Sequence, residues 1–282
     1  MISGKAIIAG VIGWPIKHTL SPILHNYWLK LYKIDGAYIP IETQPENLEK
    51  AIRSLPLLGF AGANVTIPHK EIAYNIVDEA TEKARRVEAV NTLIIRENGS
   101  IIGDNTDSSG FIDNLRFGLQ TKLDQKRPTV VIGAGGAARS VVAALLDMGM
   151  EEIRIVNRTI EKAQQFSRVF SQNINILPWQ QLDKSLENSG LLINATPLGM
   201  QNRPPLDIDL KALPKDAIVT DIVYTPLKTP LLKAALKRGN KIVDGLGMLI
   251  HQAVPGFTAW YKTEPHITKD LRTVLLGKKS SI

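Results

Sequence analysis

The chain has 282 residues, 44% of them hydrophobic and 22% charged, with a net charge of +7 and no cysteine. That length allows one large or two modest domains. The lack of cysteine excludes disulfides, thiolate catalysis and cysteine-ligated metals, and it fits a cytoplasmic protein. Lysine and arginine are scattered, with an adjacent pair at Lys278-Lys279 in the tail, and aromatic residues make up 6%. The charge is therefore read as attracting small anionic ligands, with no nucleic-acid partner. The first residues lack a basic leader and a cleavage site, and no apolar run reaches membrane-spanning length, so no membrane partner is expected.

In chain order, Lys5–Ile12 predicts a strand. Ser21-Pro22 predicts a helix start, with Ser21 as N-cap and Leu24, Trp28 and Leu31 on the apolar side. Thr19 and Ser21 place two hydroxyls at that helix start. They suit either simple capping or the binding of a carboxylate. Ala37–Ile41 reads as a strand, Pro45–Leu55 as a helix and Gly62–Ile67 as a strand, with a helix from Pro68 carrying His69, Lys70 and Ile72. Alternation puts Asn64 and Thr66 on one strand face, with Lys70 beyond the C-terminal end, where open α/β sheets bind ligands. Lys70 is either a solvent lysine or a proton-transfer group. Val90–Ile95 and Ser100–Gly103 flank Glu97-Asn98-Gly99, a hairpin signal. Asn91-Thr92 and Asp104–Asp107 form a further polar cluster. Asp107 serves there either as the cap of a helix over Ser108–Leu119 or as a carboxylate that orients a lysine.

After a charged linker, Lys122–Pro128, comes the most specific stretch. Thr129–Ile132 is a β-branched, apolar strand. Gly133, Ala134, Gly135, Gly136 and Ala137 make a glycine turn, and an apolar helix follows with Val141, Val142, Leu145 and Leu146 on one face. Ile153–Val156 closes a strand–turn–helix–strand unit of about 30 residues, the span of a mononucleotide-binding βαβ element. Gly133 allows the sharp exit from the strand, Gly135 lets a pyrophosphate approach the backbone, and the helix N-terminus attracts it. An NAD site normally carries an acidic residue at the end of the second strand. Here Asn157, Arg158 and Thr159 stand there, with Lys162 one turn on. Cationic side chains suit a 2′-phosphate, so NADP is favoured over NAD.

The alternation continues with helix Ile160–Phe170, strands Ile174–Leu177, Leu191–Ala195 and Ala217–Asp221, helix Leu231–Arg238 and strand Lys241–Val243. This pattern predicts a doubly wound parallel sheet. Gly247–Tyr261 and His266–Leu276 read as helices. His18, His25, His69, His251 and His266 show no metal spacing, so no metal site is expected. No GxSxG elbow is present, which leaves acyl transfer unsupported.

Nine stretches together carry a resemblance: GWPIKHTLSPILHN (13–26), GANVTIPHKE (62–71), AVNTL (89–93), GDNTD (103–107), VIGAGGAARS (131–140), NRTIEKA (157–163), NATPLGM (194–200), DIVYTPLKTPLL (221–232) and DGLGMLIHQA (244–253). In this order they resemble the shikimate/quinate dehydrogenase family nearly end to end. The resemblance implies reversible reduction of 3-dehydroshikimate to shikimate by NADPH, in a monomer or homodimer. It implies an N-terminal α/β substrate domain over 1–106, joined by returning C-terminal helices over 246–282. A Rossmann-type doubly wound NADP-binding domain would cover 107–245, with the active site in the cleft. Thr19 and Ser21 would hold the substrate carboxylate, with Tyr224 nearby. Thr66, Asn91, Asp107 and Gln252 would bind ring hydroxyls. Lys70 would transfer the proton, with Asp107 orienting it. The cofactor would meet Gly133–Ala137, Asn157–Lys162, Ile222, Gly245 and, at the nicotinamide end, Glu82. Thr19 stands where the family most often has serine. Its extra methyl leaves quinate open as a substrate, and a non-catalytic dinucleotide-binding protein is the alternative of a different class. Nothing in the sequence explains Trp14.

Overall fold

Parallel pairing dominates the architecture. The computed structural model describes residues 2–119, 122–170 and 173–277; the tail pair Lys278-Lys279 lies outside them. The chain folds as two compact units, Met1–Thr106 with Ile250–Ile282, and Asp107–Leu249.

The first unit holds β1 (Ile7–Gly13), β2 (Gly36–Glu42), β3 (Phe60–Val65), β4 (Glu79–Ala80), β5 (Thr92–Ile95) and β6 (Ile101–Asp104), in the sheet order β2-β1-β3-β5-β6-β4. The β1, β2 and β3 strands are parallel, whereas β5 runs antiparallel to both β3 and β6. This mixture has a consequence for function. The C-terminal ends of β1, β3 and β6 and the start of β5 all reach one edge, because Ile12 pairs with Val65, Asn64 with Thr92, and Thr92 with Asp104.

Several local expectations change. Helix Ser21–Leu31 starts one residue early, so its cap position is Leu20 with no side-chain bond, and Ser21 is not a cap. Proline in the first turn sacrifices no helical bond, which permits this start. Helix Lys70–Tyr74 begins after a turn closed by His69 N–H to the Thr66 carbonyl at 2.9 Å, so neither Pro68 nor His69 lies within it. Asp107 opens helix Asp107–Gly118 as its first residue. The segment Pro45–Leu55 is a 3-10 turn, Pro45–Asn47, followed by helix Leu48–Ser54. Strand β4 and helix Glu82–Val87 were not anticipated.

The helix Leu246–Tyr261 reaches the first unit's core through aromatic rings. His25 is fully buried and stacks on Tyr38 at 3.9 Å and 3°, with Trp28, Phe257 and Trp260 around it. Trp260 donates its indole N–H to the Leu93 carbonyl at 2.9 Å. Gly62 makes room for it, since a Cβ there would collide with the Trp260 indole nitrogen and the Leu93 oxygen.

The second unit holds β7 (Thr129–Ile132), β8 (Ile153–Asn157), β9 (Ile174–Pro178), β10 (Leu191–Asn194), β11 (Ile218–Asp221) and β12 (Lys241–Val243). All are parallel, in the order β12-β11-β10-β7-β8-β9. From the central β7 the chain winds outward through β8 and β9, then returns to β10 on the other side. This is the Rossmann order, and its switch point lies between β7 and β10. The β7, β10 and β11 strands are buried along their whole length, as parallel strands covered on both faces must be. Helix Gly136–Asp147 is buried over Ala138–Leu145, wider than the single face expected. The segment 160–170 splits into Ile160–Gln164 and Phe166–Val169, where Arg168 N–H reaches back only three residues to Gln165. Among the described residues, no helix is long and apolar enough to cross a membrane.

Burial pushes the His25 pKa down from 6.5 to about 3, and among the described residues neither ring nitrogen has a hydrogen-bond partner. The folded chain keeps His25 neutral, while an unfolded chain protonates it below about 6.5. Stability is thus complete above that value and is lost as pH falls toward 3. A single group of this kind costs about 2 kcal/mol between pH 7 and pH 5. His25→Phe, which keeps an aromatic ring in the stack, should abolish that component in urea titrations at the two pH values. An unchanged pH dependence would remove His25 as its source.

Candidate active site

Two groups of side chains gather, one in each unit. In the first unit, Thr19 and Ser21 lie just after the end of β1. Thr19 Oγ1 donates to Ser21 Oγ at 3.2 Å and accepts the Ser21 N–H at 3.3 Å. Ser21 Oγ accepts there, so its own proton is left to donate, and it is not consumed in capping. Thr66 follows β3 at the same edge and packs beside Gly13, where a Cβ would lie 2.6 Å from the Thr66 methyl. Lys70, partly buried, opens the next helix, and its carbonyl accepts from Val90 N–H at 2.9 Å. That bond ties the lysine's backbone to the residue before Asn91.

Asn91 is 1% exposed and joins most of this edge. Its Oδ1 accepts from Thr106 N–H at 3.0 Å and from Thr92 Oγ1 at 2.9 Å. Its Nδ2 donates to Thr106 Oγ1 at 2.9 Å and to Gln252 Oε1 at 3.2 Å. Thr106 Oγ1 also donates to the Gln252 carbonyl at 2.7 Å. Gln252 belongs to helix Leu246–Tyr261, so residues 161 positions apart in sequence meet through one amide. Asn64 stays inside, accepting from Tyr38 Oη at 2.6 Å and donating to the Asn91 carbonyl at 3.1 Å. It supports the edge and does not share the more open position of Thr66. Asp107 follows Thr106 directly and is buried. Glu82 is exposed at the start of helix Glu82–Val87, in the first unit, apart in the chain from the other expected cofactor residues.

In the second unit, the glycine turn leaves β7 at the switch point. Gly133 has φ +120°, and a Cβ there would lie 3.0 Å from both the Ala195 oxygen and the Thr196 methyl. The following helix has Gly135 as its cap position with no side-chain bond, so its first N–H groups and dipole remain for an anion. Ala134, Gly136 and Ala137 are partly exposed along it. Asn157 ends the adjacent β8 and donates to the Thr159 carbonyl at 2.7 Å. Arg158, Thr159 and Lys162 are exposed, and among the described residues Arg158 and Lys162 pair with no carboxylate. Ile222 and Gly245 come together: a Cβ on Gly245 would lie 2.5 Å from the Ile222 oxygen. Tyr224 is partly buried in the bend after β11. Asp221 ends β11 fully buried, and burial pushes its pKa up to about 6 against the pull of Thr229, Val223 and Asn194. Among the described residues no cluster of three or more His, Asp or Glu could hold a metal ion.

Residues 11–93 match the family described as the shikimate dehydrogenase substrate binding domain, and residues 118–200 match shikimate / quinate 5-dehydrogenase. A shikimate dehydrogenase (NADP(+)) of Paramagnetospirillum magneticum is 52% identical over 98% of this chain and 100% of its own. The chain belongs to the shikimate dehydrogenase family. Among solved family structures, a shikimate dehydrogenase in complex with NADP+ is 35% identical with a TM-score of 0.88, covering 98% of this chain and 97% of that one. A quinate dehydrogenase from Corynebacterium glutamicum in complex with NAD is 30% identical with a TM-score of 0.85, covering 96% and 99%.

Two buried polar residues that sequence reading did not select as site residues now stand out, Asn194 and Asp221. Each is the last residue of a buried strand, which is the trace it leaves in the sequence. At Gly133 the left-handed backbone and the close Ala195 oxygen both oppose a side chain. Gly133→Ala should lower the unfolding free energy by about 1–3 kcal/mol in urea titrations. A loss under a few tenths would show that the turn tolerates Cβ.

Proposed function

We propose that this chain is an NADP-dependent shikimate dehydrogenase, interconverting 3-dehydroshikimate and shikimate. The observation that carries the reading is the gathering of the Thr19–Ser21 hydroxyl pair, Thr66, Lys70 and the Asn91–Gln252 pair at one edge of the first sheet, in a chain whose second sheet carries an anion-ready glycine turn at its switch point. The residues present fit NADP. The uncapped helix start suits a pyrophosphate, and the exposed Arg158 and Lys162 suit a 2′-phosphate that a carboxylate at this place would repel.

When bound, NADPH supplies the hydride. The chain's residues do the rest. Thr19 and Ser21 hold the substrate carboxylate, with Tyr224 as a further proposed partner of that group. Thr66, Asn91, Asp107 and Gln252 bind ring hydroxyls and so fix which carbon is presented. As hydride adds, the carbonyl oxygen gains negative charge. The Lys70 ammonium stabilises that charge and gives its proton to the oxygen, with Asp107 orienting the amine. In the reverse direction Lys70 takes the proton back. Asn91 serves here with little loss of entropy, because Thr92 and Thr106 already fix its amide. The methyl of Thr19 crowds the carboxylate end, and it leaves quinate open as the competing substrate. Arg158 and Lys162 oppose NAD.

Lys70→Ala should lower kcat by at least about a hundredfold while the shikimate KM changes little. Near-intact turnover would remove Lys70 from the proton transfer. Arg158→Asp should raise the KM for NADP by about tenfold or more and leave NAD nearly unaffected. Equal effects on the two cofactors would contradict the 2′-phosphate assignment.

A further inference from the structure

The carboxylate of Asp221 takes no part in the steps above, yet it organises two loops. Its Oδ1 accepts from Asn194 Nδ2 and from Val223 N–H, both at 3.0 Å, and its Oδ2 accepts from Thr229 Oγ1 at 2.7 Å. Asn194 ends β10, and its own Oδ1 accepts from Thr196 N–H at 3.0 Å and from Thr196 Oγ1 at 2.7 Å, while its Nδ2 also donates to the Leu198 carbonyl at 3.0 Å. Thr229 caps helix Pro230–Arg238 by accepting from Leu232 N–H at 3.3 Å. One buried side chain therefore ties together the loop after β10, the loop after β11 and the helix that follows.

Ile222 lies inside this tether. Its N–H donates to the Asn194 carbonyl at 3.1 Å, the next N–H is held by the Asp221 carboxylate, and its oxygen faces Gly245 so closely that no Cβ would fit. The methyl of Thr196, fixed through Asn194, sits against Gly133 at the start of the glycine turn. Both loops leave the C-terminal edge of the parallel sheet, where a dinucleotide lies. Hydrogen bonds to a carboxylate are about twice as strong as those between neutral groups. A charged anchor thus gives a stiffer loop than an amide in the same place.

We propose that Asp221 is a positioning residue for hydride transfer: by anchoring the loops after β10 and β11 it fixes the backbone of Ile222 as the rest for the nicotinamide ring, and so governs the rate of the chemical step more than the affinity for the dinucleotide. This rests on the reading above, that the chain binds NADP with Ile222 at the nicotinamide end. Arg158 and Lys162, at the distant end of the cofactor, make no hydrogen bond to this tether among the described residues, so binding and chemistry should separate.

The test uses Asp221→Asn, together with Thr229→Val and Thr229→Ser, each in the full chain. NADPH affinity is read by fluorescence anisotropy, the ring's surroundings by the fluorescence lifetime of bound NADPH, and turnover with shikimate and NADP. Asp221→Asn should hold the NADPH Kd within about threefold, lower kcat by about tenfold or more, and move the bound lifetime toward that of free NADPH. Thr229→Ser, which keeps the hydroxyl, should match the unaltered chain, and Thr229→Val should follow Asp221→Asn. A folded Asp221→Asn chain with kcat within twofold would overturn the proposal, as would a Kd that rises in proportion to the lost turnover. If Asp221→Asn does not fold, equal kcat values for the two Thr229 variants would overturn it. If the unaltered chain binds NADPH but does not oxidise shikimate, the substrate reading fails alone, and the lifetimes still decide the role of Asp221.

Discussion

Asn91 is the joint on which the first unit depends. That unit is assembled from two separated stretches of chain, residues 1–106 and the segment from 250 onward. The Asn91 amide ties them, holding Thr106 at the last residue of one stretch and Gln252 near the start of the other. Its backbone extends the same knot into the sheet, accepting from Val65 N–H at 2.8 Å and donating to the Asp104 carbonyl at 3.0 Å. A buried amide tied to Thr92, Thr106 and Gln252 is both stiff and demanding, since losing a partner leaves an unsatisfied group in the interior. The aromatic stack of His25, Tyr38, Phe257 and Trp260 adds the apolar side of the joint. Through it helix Leu246–Tyr261 is packed where Gln252 can meet Asn91.

The two units solve different problems with different sheet geometries. In the first, mixed strand directions bring several polar strand ends to one edge, where hydroxyls, amides and a lysine collect. In the second, strictly parallel strands create a switch point at β7 and β10, and the chain places backbone there in preference to side chains. Gly133 yields its Cβ to the Ala195 oxygen, and the helix behind it leaves its first N–H groups uncapped. A small polar substrate calls for many directional side-chain contacts. A dinucleotide calls for a close backbone and a fixed ring.

Much of this was legible in the sequence, and the limits have physical causes. The β7–helix–β8 unit was plain because its strands are β-branched, mainly apolar runs, with a glycine turn and an apolar helix between them. Strand β4 was not, since two residues, Glu79 and Ala80, carry no periodicity. That strand exists through pairing with β6, reinforced by the Asp78 carboxylate accepting from Ile101 N–H at 2.8 Å. The motif strings pointed to Thr19, Ser21, Asn91 and Gln252, but not to how they meet. That Asn91 pairs with Gln252, or that Asp221 gathers Asn194 and Thr229, depends on contacts across long stretches of sequence. Ser21 illustrates the converse case. Its residue type fits a cap, yet the helix begins on it, and its hydroxyl is paired with Thr19. Alternation puts Asn64 and Thr66 on one face but does not show how they differ: Asn64 is buried and spent on Tyr38 and the Asn91 carbonyl, while Thr66 is only partly buried.

On the proposed reading, one edge of the first sheet selects shikimate while Arg158 and Lys162 on the second unit select NADP. The direct measurement is the steady-state oxidation rate, followed by nicotinamide absorbance, for shikimate and quinate each paired with NADP and NAD. The highest kcat/KM is expected for shikimate with NADP, with a drop when either partner is exchanged. A higher value for quinate or for NAD, or no reduction of either cofactor by either substrate, would contradict it.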